Sequence, residues 1–288
     1  MNRRLLAFAT AAALAGCATA QPVEPAARAR IVYGTLAIGG ADYAVEWYVP
    51  DATPVALMTV QHGFARQCAN VRGTGLALAD RGLLGLCVNA NLAGGNPALA
   101  EALATTLLAG ATAPGVAQPQ RFVAGGHSAG GHFASRLGWA LAQQAPARLA
   151  GAVLFDPVAA NDSFTTNVLA IAAAGQRPVL AINANASSCN AQNNADPALR
   201  AVALAGGDGF VGLQLIDRSS HVDVEGRDTN LAGTLPCGRP LRANTDALRT
   251  LAGAWAADAA AGTRDPAYYP GGSYVQGLVG AGQARPID

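Results

Sequence analysis

Short apolar runs closed by turn residues alternate with longer stretches of helical period along most of the chain. Strands are predicted over residues 30–38 and 43–49, joined as a hairpin at Gly39 and Gly40. Further strands are predicted over 54–61, 83–89, 122–124, 149–155, 178–183 and 210–216. Helical patterns occupy 71–80, 97–109, 131–144, 197–205 and 241–261, the second ended by Gly110 and Pro114. Strands that alternate with helices this regularly predict an α/β fold: a mostly parallel eight-stranded sheet with an antiparallel start and helices on both faces. No repeat, low-complexity tract or second-domain linker interrupts the pattern, and the segment between 156 and 178 is too short for a separate lid domain. The domain is expected over 30–262. The tail, 263–288, is rich in Gly, Pro and Tyr and gives no pattern.

The first residues break from this alternation. Arg3 and Arg4 precede an apolar stretch, 5–15, too short to span a bilayer, which marks an export signal. It ends Leu14-Ala15-Gly16-Cys17, which resembles the lipobox of bacterial lipoproteins. That resemblance implies a signal peptide over 1–16, acylation of Cys17 and a tether over 17–29. The alternative is an ordinary cut at 18–20. The protein is thus expected to be exported and anchored to a membrane, on the periplasmic or outer-membrane face or at the cell surface.

Composition narrows the class. In 288 residues the net charge is +1, 51% of residues are hydrophobic and 13% are charged, which disfavours nucleic acid as a partner. Apart from Cys17 there are four cysteines, Cys68, Cys87, Cys189 and Cys237. An even number in an exported chain favours two disulfides. Of three pairings, Cys68–Cys87 and Cys189–Cys237 are preferred because they join neighbours in sequence, the second closing a loop around His221. No Cys-x-x-Cys occurs, so no zinc or redox site is expected.

The chemistry gathers at Gly126-His127-Ser128-Ala129-Gly130, a Gly-x-Ser-x-Gly between a short strand and a long helical segment. A serine on a sharp strand-to-helix turn needs neighbours without side chains on either side. Its hydroxyl needs a base, and the base an orienting carboxylate; the motif in this setting resembles the nucleophile elbow of α/β-hydrolases, which implies the chain order serine, acid, histidine. Of His62, His127, His132 and His221, only His221 lies well downstream of Ser128, just past the strand at 210–216. For the acid, the loop after 178–183 offers no carboxylate before Asp196, whereas Asp156 closes the strand at 149–155. Asp156 is preferred, with Asp196 second. The oxyanion donors are expected to be the amide of Ala129, at the start of the helix, and that of Phe64, since His62-Gly63-Phe64 after the strand at 54–61 resembles the His-Gly-x oxyanion motif of α/β-hydrolases. Phe64 and Phe164 are candidate lining residues of an open substrate pocket, and either could equally be core.

These segments resemble the chlorophyllase-type branch of the α/β-hydrolases, with platelet-activating-factor acetylhydrolase-like and polyester-hydrolase-like relatives. In that branch a Gly-His-Ser-x-Gly-Gly elbow precedes an Asp-Pro-Val bearing the acid and a His-x-Asp bearing the base. Here those are residues 126–131, Asp156-Pro157-Val158 and His221-Val222-Asp223. Ala129 departs from the arginine of plant chlorophyllases. The resemblance implies an α/β-hydrolase fold and a serine carboxylic-ester hydrolase. The substrate expected is a hydrophobic or bulky ester, small or polymeric, turned over by a monomer with no cofactor and no metal. An acyltransferase with the same triad, a non-catalytic binding protein on this fold and, third, a peptidase or amidase are the alternatives.

Overall fold

A computed structural model describes residues 29–287. The expected signal peptide over 1–16, the lipidation site Cys17 and nearly all of the tether lie outside the described residues.

The chain begins as a hairpin. β1 (Arg30–Ile38) and β2 (Ala41–Val49) pair antiparallel throughout, from Arg30 opposite Val49 to Ile38 opposite Ala41. Gly39 and Gly40 both take positive φ at the turn, a backbone region open to glycine. There follow β3 (Ala56–Thr59), α1 (Arg72–Ala79), β4 (Leu83–Val88), α2 (Pro97–Leu108), β5 (Phe122–His127) and α3 (Ala129–Gln144). β6 (Leu149–Phe155), α4 (Ser163–Ala172), β7 (Val179–Asn183), α5 (Asp196–Ala205) and β8 (Gly212–Leu215) continue the alternation. The chain closes with α6 (Leu231–Cys237), α7 (Arg242–Ala261), α8 (Ser273–Gly280) and β9 (Ala284–Pro286).

The strands form one sheet in the order β1-β2-β4-β3-β5-β6-β7-β8-β9. Pairing is parallel from β4 to β8 and antiparallel at both edges. Every residue of β3 to β8 is buried, as a strand covered on both faces requires, and this is why these segments are near-continuous apolar runs rather than alternating ones. Two apolar cores result. One packs residues of α2, α3, α4 and α5 against the sheet; the other packs α1, α7 and α8, with Trp255 and Tyr48 fully buried in it.

The sheet has nine strands among the described residues, where the sequence pattern predicts eight. The addition comes from the tail, which shows no pattern. Val275 and Leu278 of α8 and Ala284 are buried in the second core, and Trp255 Nε1 donates to the Tyr268 carbonyl at 2.8 Å. β9 then pairs with β8, from Leu213 opposite Pro286 to Leu215 opposite Ala284. A three-residue strand is too short to display alternation, so nothing in its residues foretells it. α4 and α6 are likewise additions to the predicted elements.

Candidate active site

Ser128 stands between the last residue of β5 and the first of α3, with φ 57° and ψ −124°. No L-residue prefers that conformation, and packing on every side holds it there. A Cβ on Gly126 would lie 2.1 Å from the Gly130 carbonyl oxygen, and one on Gly130 would lie 2.2 Å from the His62 oxygen. The turn is therefore possible only with glycine at both flanks. Ser128 N donates to the Phe155 carbonyl at 3.1 Å, pinning the turn to the end of β6.

His221 lies in the loop after β8, and its Nδ1 donates to Asp156 Oδ2 at 2.6 Å. Both side chains are buried. With the proton on Nδ1, the ring's lone pair is on Nε2. Asp156 follows β6 directly, with φ 41°. Its carboxylate also accepts from Ala184 N at 3.0 Å and from Asn190 Nδ2 at 3.2 and 3.1 Å. Asp196, the second candidate acid, is instead the first residue of α5 and accepts from Asn183 Nδ2 at 2.6 Å; it makes no hydrogen bond to His221.

His127 is held differently. Its Nε2 donates to the His221 main-chain carbonyl at 2.8 Å, and the two rings lie 4.5 Å apart. Burial, and the neighbouring His221, push its pKa well down, so this imidazole stays neutral. It braces the loop that bears His221 and carries no charge. His132 is fully buried, accepting from Ala160 N at 3.0 Å, and belongs to the packing between α3 and α4.

The segment after β3 approaches Ser128 closely. A Cβ on Gly63 would fall 3.0 Å from Ser128 Cβ. His62 Nδ1 donates to the Gly63 carbonyl at 2.8 Å, and burial lowers its pKa, keeping it neutral. Arg66 N donates to Gly63 O at 3.3 Å, closing a turn in which Ala65 takes φ 55°. The Phe64 amide inside that turn has no acceptor among the described residues. The Ala129 amide is the first of α3, where a helix leaves its N–H groups unpaired and its dipole favours negative charge.

A cavity of about 270 Å³ opens over these groups, lined by Ser128, His221, Phe64, Arg66, Cys189 and Pro236 among others. Two larger cavities, of about 310 and 520 Å³, are lined by no serine, cysteine or histidine. Phe64 is 61% exposed on the rim. Phe164 is not a lining residue. It is fully buried in the first turn of α4, its ring 5.7 Å from that of His132, where it anchors α4 on α3.

The four cysteines of the described residues form the two expected pairs, Cys68–Cys87 with Cα atoms 5.6 Å apart and Cys189–Cys237 at 5.7 Å. The second ties α6 to the loop that carries Asn190. Among the described residues no group of His, Cys, Asp and Glu is placed to hold a metal ion. No described helix is long and apolar enough to cross a membrane.

No protein-family model and no curated protein matches this sequence. Solved structures do match in shape. Carboxyl esterase 2 from the mycorrhizal fungus Tuber melanosporum aligns with a TM-score of 0.57 at 14% identity, over 84% of this chain and 89% of its own. Dienelactone hydrolase from Anabaena variabilis aligns at 0.54 and 13%, over 80% and 97%. The esterase domain of a Rhodothermus marinus protein aligns at 0.53 and 17%, over 79% and 98%. The chain has the α/β-hydrolase fold. In this hydrolase fold Ser128, Asp156 and the loop bearing His221 all lie at the carboxyl ends of the parallel strands β5, β6 and β8, the edge where open α/β sheets bind ligands. Sequence reasoning missed Asn190, Arg66 and Glu225. Asn190 stands beside Cys189 in a loop without a carboxylate, and an amide there carries no signal of its own. Arg66 and Glu225 become partners only across 159 residues of chain.

Proposed function

We propose that this protein is a serine carboxylic-ester hydrolase that works through an acyl-enzyme. The observation that carries the reading is the buried 2.6 Å hydrogen bond from His221 Nδ1 to Asp156, with His221 and Ser128 lining one cavity. In the reaction, Ser128 Oγ attacks the ester carbonyl carbon while its proton passes to His221 Nε2. The imidazolium so formed is stabilised by Asp156, and the amides of Phe64 and Ala129 donate to the oxyanion. Collapse breaks the bond to the alcohol oxygen, which takes the proton from Nε2. Water then repeats the sequence on the acyl-enzyme, releasing the acid and restoring the serine.

Esterases and a dienelactone hydrolase among the neighbours of like fold support this reaction class. Exposed Phe64 on the rim, with Leu231 and Leu235 of α6 also exposed, supports a hydrophobic or bulky ester as substrate. The two disulfides favour an oxidising compartment, consistent with export, and the Cys17 motif favours a lipid anchor. A fluorophosphonate label followed by peptide mapping tests the nucleophile: modification at Ser128, absent in Ser128→Ala, supports the reading. A folded protein that is neither labelled nor active on p-nitrophenyl esters of any chain length would overturn it. Mass spectrometry of membrane fractions, showing acylated or unmodified Cys17, decides the anchor.

A further inference from the structure

Arg66 lines the Ser128 cavity, yet its charge is not offered to a ligand. Its side chain is 9% exposed and every arm of the guanidinium is engaged. Nε donates to Glu225 Oε1 at 2.7 Å, Nη2 donates to Glu225 Oε2, and Nη1 donates to Asn230 Oδ1 at 2.8 Å. Nη2 also reaches Thr229 Oγ1 at 3.5 Å. Glu225 is buried to 1% exposure. Burying two charges is costly, and apolar replacements of such pairs are often no less stable, so stability alone is a weak reason for this one.

What the pair joins is more telling. Arg66 closes the turn 63–66, in which Ala65 holds a left-handed backbone and the Phe64 amide has no acceptor among the described residues. Glu225 ends the loop that begins at His221, through tight turns in which Asp223 N donates to Ser220 O and Glu225 N to Val222 O. Asn230 is the N-cap of α6, whose Gly233 packs against the same guanidinium; a Cβ there would lie 2.9 Å from Nη2. One planar fork on the turn 63–66 thus meets the His221 loop and the start of α6, which share its cavity and lie 159 and 164 residues further along the chain.

We propose that the Arg66–Glu225 ion pair is a positioning strut. It sets the separation between the oxyanion-binding turn and the His221 loop, and α6 closes on the same guanidinium. This rests on the ester-hydrolase reading, in which Phe64 N and His221 serve one transition state. Because the fork is bidentate, a lysine keeps the charge but not the geometry.

The test compares the parent chain with Arg66→Lys, Arg66→Met and Glu225→Gln, using p-nitrophenyl butyrate kinetics, inhibition by an alkylboronic acid and hydrogen exchange. A displacement of about 1 Å at a reacting centre costs up to roughly 100-fold, so kcat is expected to fall about 10- to 100-fold with KM within about twofold. Boronate affinity should weaken in step, since it needs the oxyanion donors, and Arg66→Lys should not rescue it. Exchange over 62–67, 219–226 and 229–237 should quicken together. Parental kcat in Arg66→Lys, or quickened exchange in one segment alone, overturns the strut. If Arg66→Met does not fold, Glu225→Gln, which keeps the length but sets an NH2 donor against the guanidinium N–H groups, still decides. A parent chain without turnover or Ser128 labelling sinks the hydrolase reading instead, while exchange in the variants still reports whether the three segments move as one.

Discussion

The ends of β6 and β7 are adjacent in the sheet and each leads towards an aspartate, but only one aspartate meets the histidine. Asp156 follows β6 without an intervening residue, and its left-handed backbone turns the carboxylate towards the loop after β8. Asp196 lies beyond a long loop after β7 and starts α5 instead, where it faces Asn183 and the helix dipole. The β7 loop nevertheless contributes to the site. Its Ala184 amide and Asn190 side chain hold the Asp156 carboxylate alongside His221. Neighbouring strand ends thus divide the work: one supplies the charge and the next supplies its cradle.

The harshest way to break this contrast is Asp156→Asn, expected to lower kcat by about 10⁴-fold, because an amide cannot fix the imidazole tautomer. Steady-state kinetics at pH 7 to 8 measures it. If Asp196→Asn were the damaging variant instead, the assignment of the acid would be reversed.

Removing the Cys189–Cys237 bridge attacks the cradle. The bridge spans 48 residues, and chain-entropy reasoning gives a loss on the order of 4 kcal/mol. Urea unfolding of Cys189→Ser/Cys237→Ser should show that loss together with reduced turnover. Full activity in a destabilised variant would mean that the cradle holds without the bridge.

Asp223 sharpens the contrast through pH. It is buried and accepts from Ser220 N at 2.9 Å and Leu241 N at 2.8 Å, yet burial pushes its pKa up from 3.8 to about 6. A raised acid stays protonated in the folded chain where the unfolded chain has already ionised. Its contribution to stability is therefore full below about pH 4 and lost as pH rises through about 6, on the order of 1–3 kcal/mol. Comparing urea midpoints at pH 4 and pH 6.5 should show this slope in the parent and a flatter one in Asp223→Ala.

Two smaller effects complete the comparison. Asn190→Ala removes donors to a buried carboxylate, a loss of about 1–3 kcal/mol, read as roughly tenfold in kcat. Asp196→Asn should leave kcat within about twofold and cost at most about 1 kcal/mol of stability through the helix dipole. An Asn190→Ala enzyme with parental kcat would show that Asp156 is oriented well enough without the amide of residue 190.

Much of this molecule is legible in its sequence. The buried strands announce themselves as unbroken apolar runs, and Ser128 is marked by glycines whose absence of side chains its turn demands. His221 is visible as a histidine just past a strand, and Asp156 as a carboxylate sitting directly on a strand end. These are local signals: periodicity, turn chemistry and adjacency to an element. The tertiary structure alone decided that Asn190 cradles the acid, that Phe164 is core, that the tail adds β9, and that Arg66 meets Glu225. Each of those depends on which strand lies beside which and how long loops return, and residues many tens of positions apart leave no periodic trace of the contact they will make.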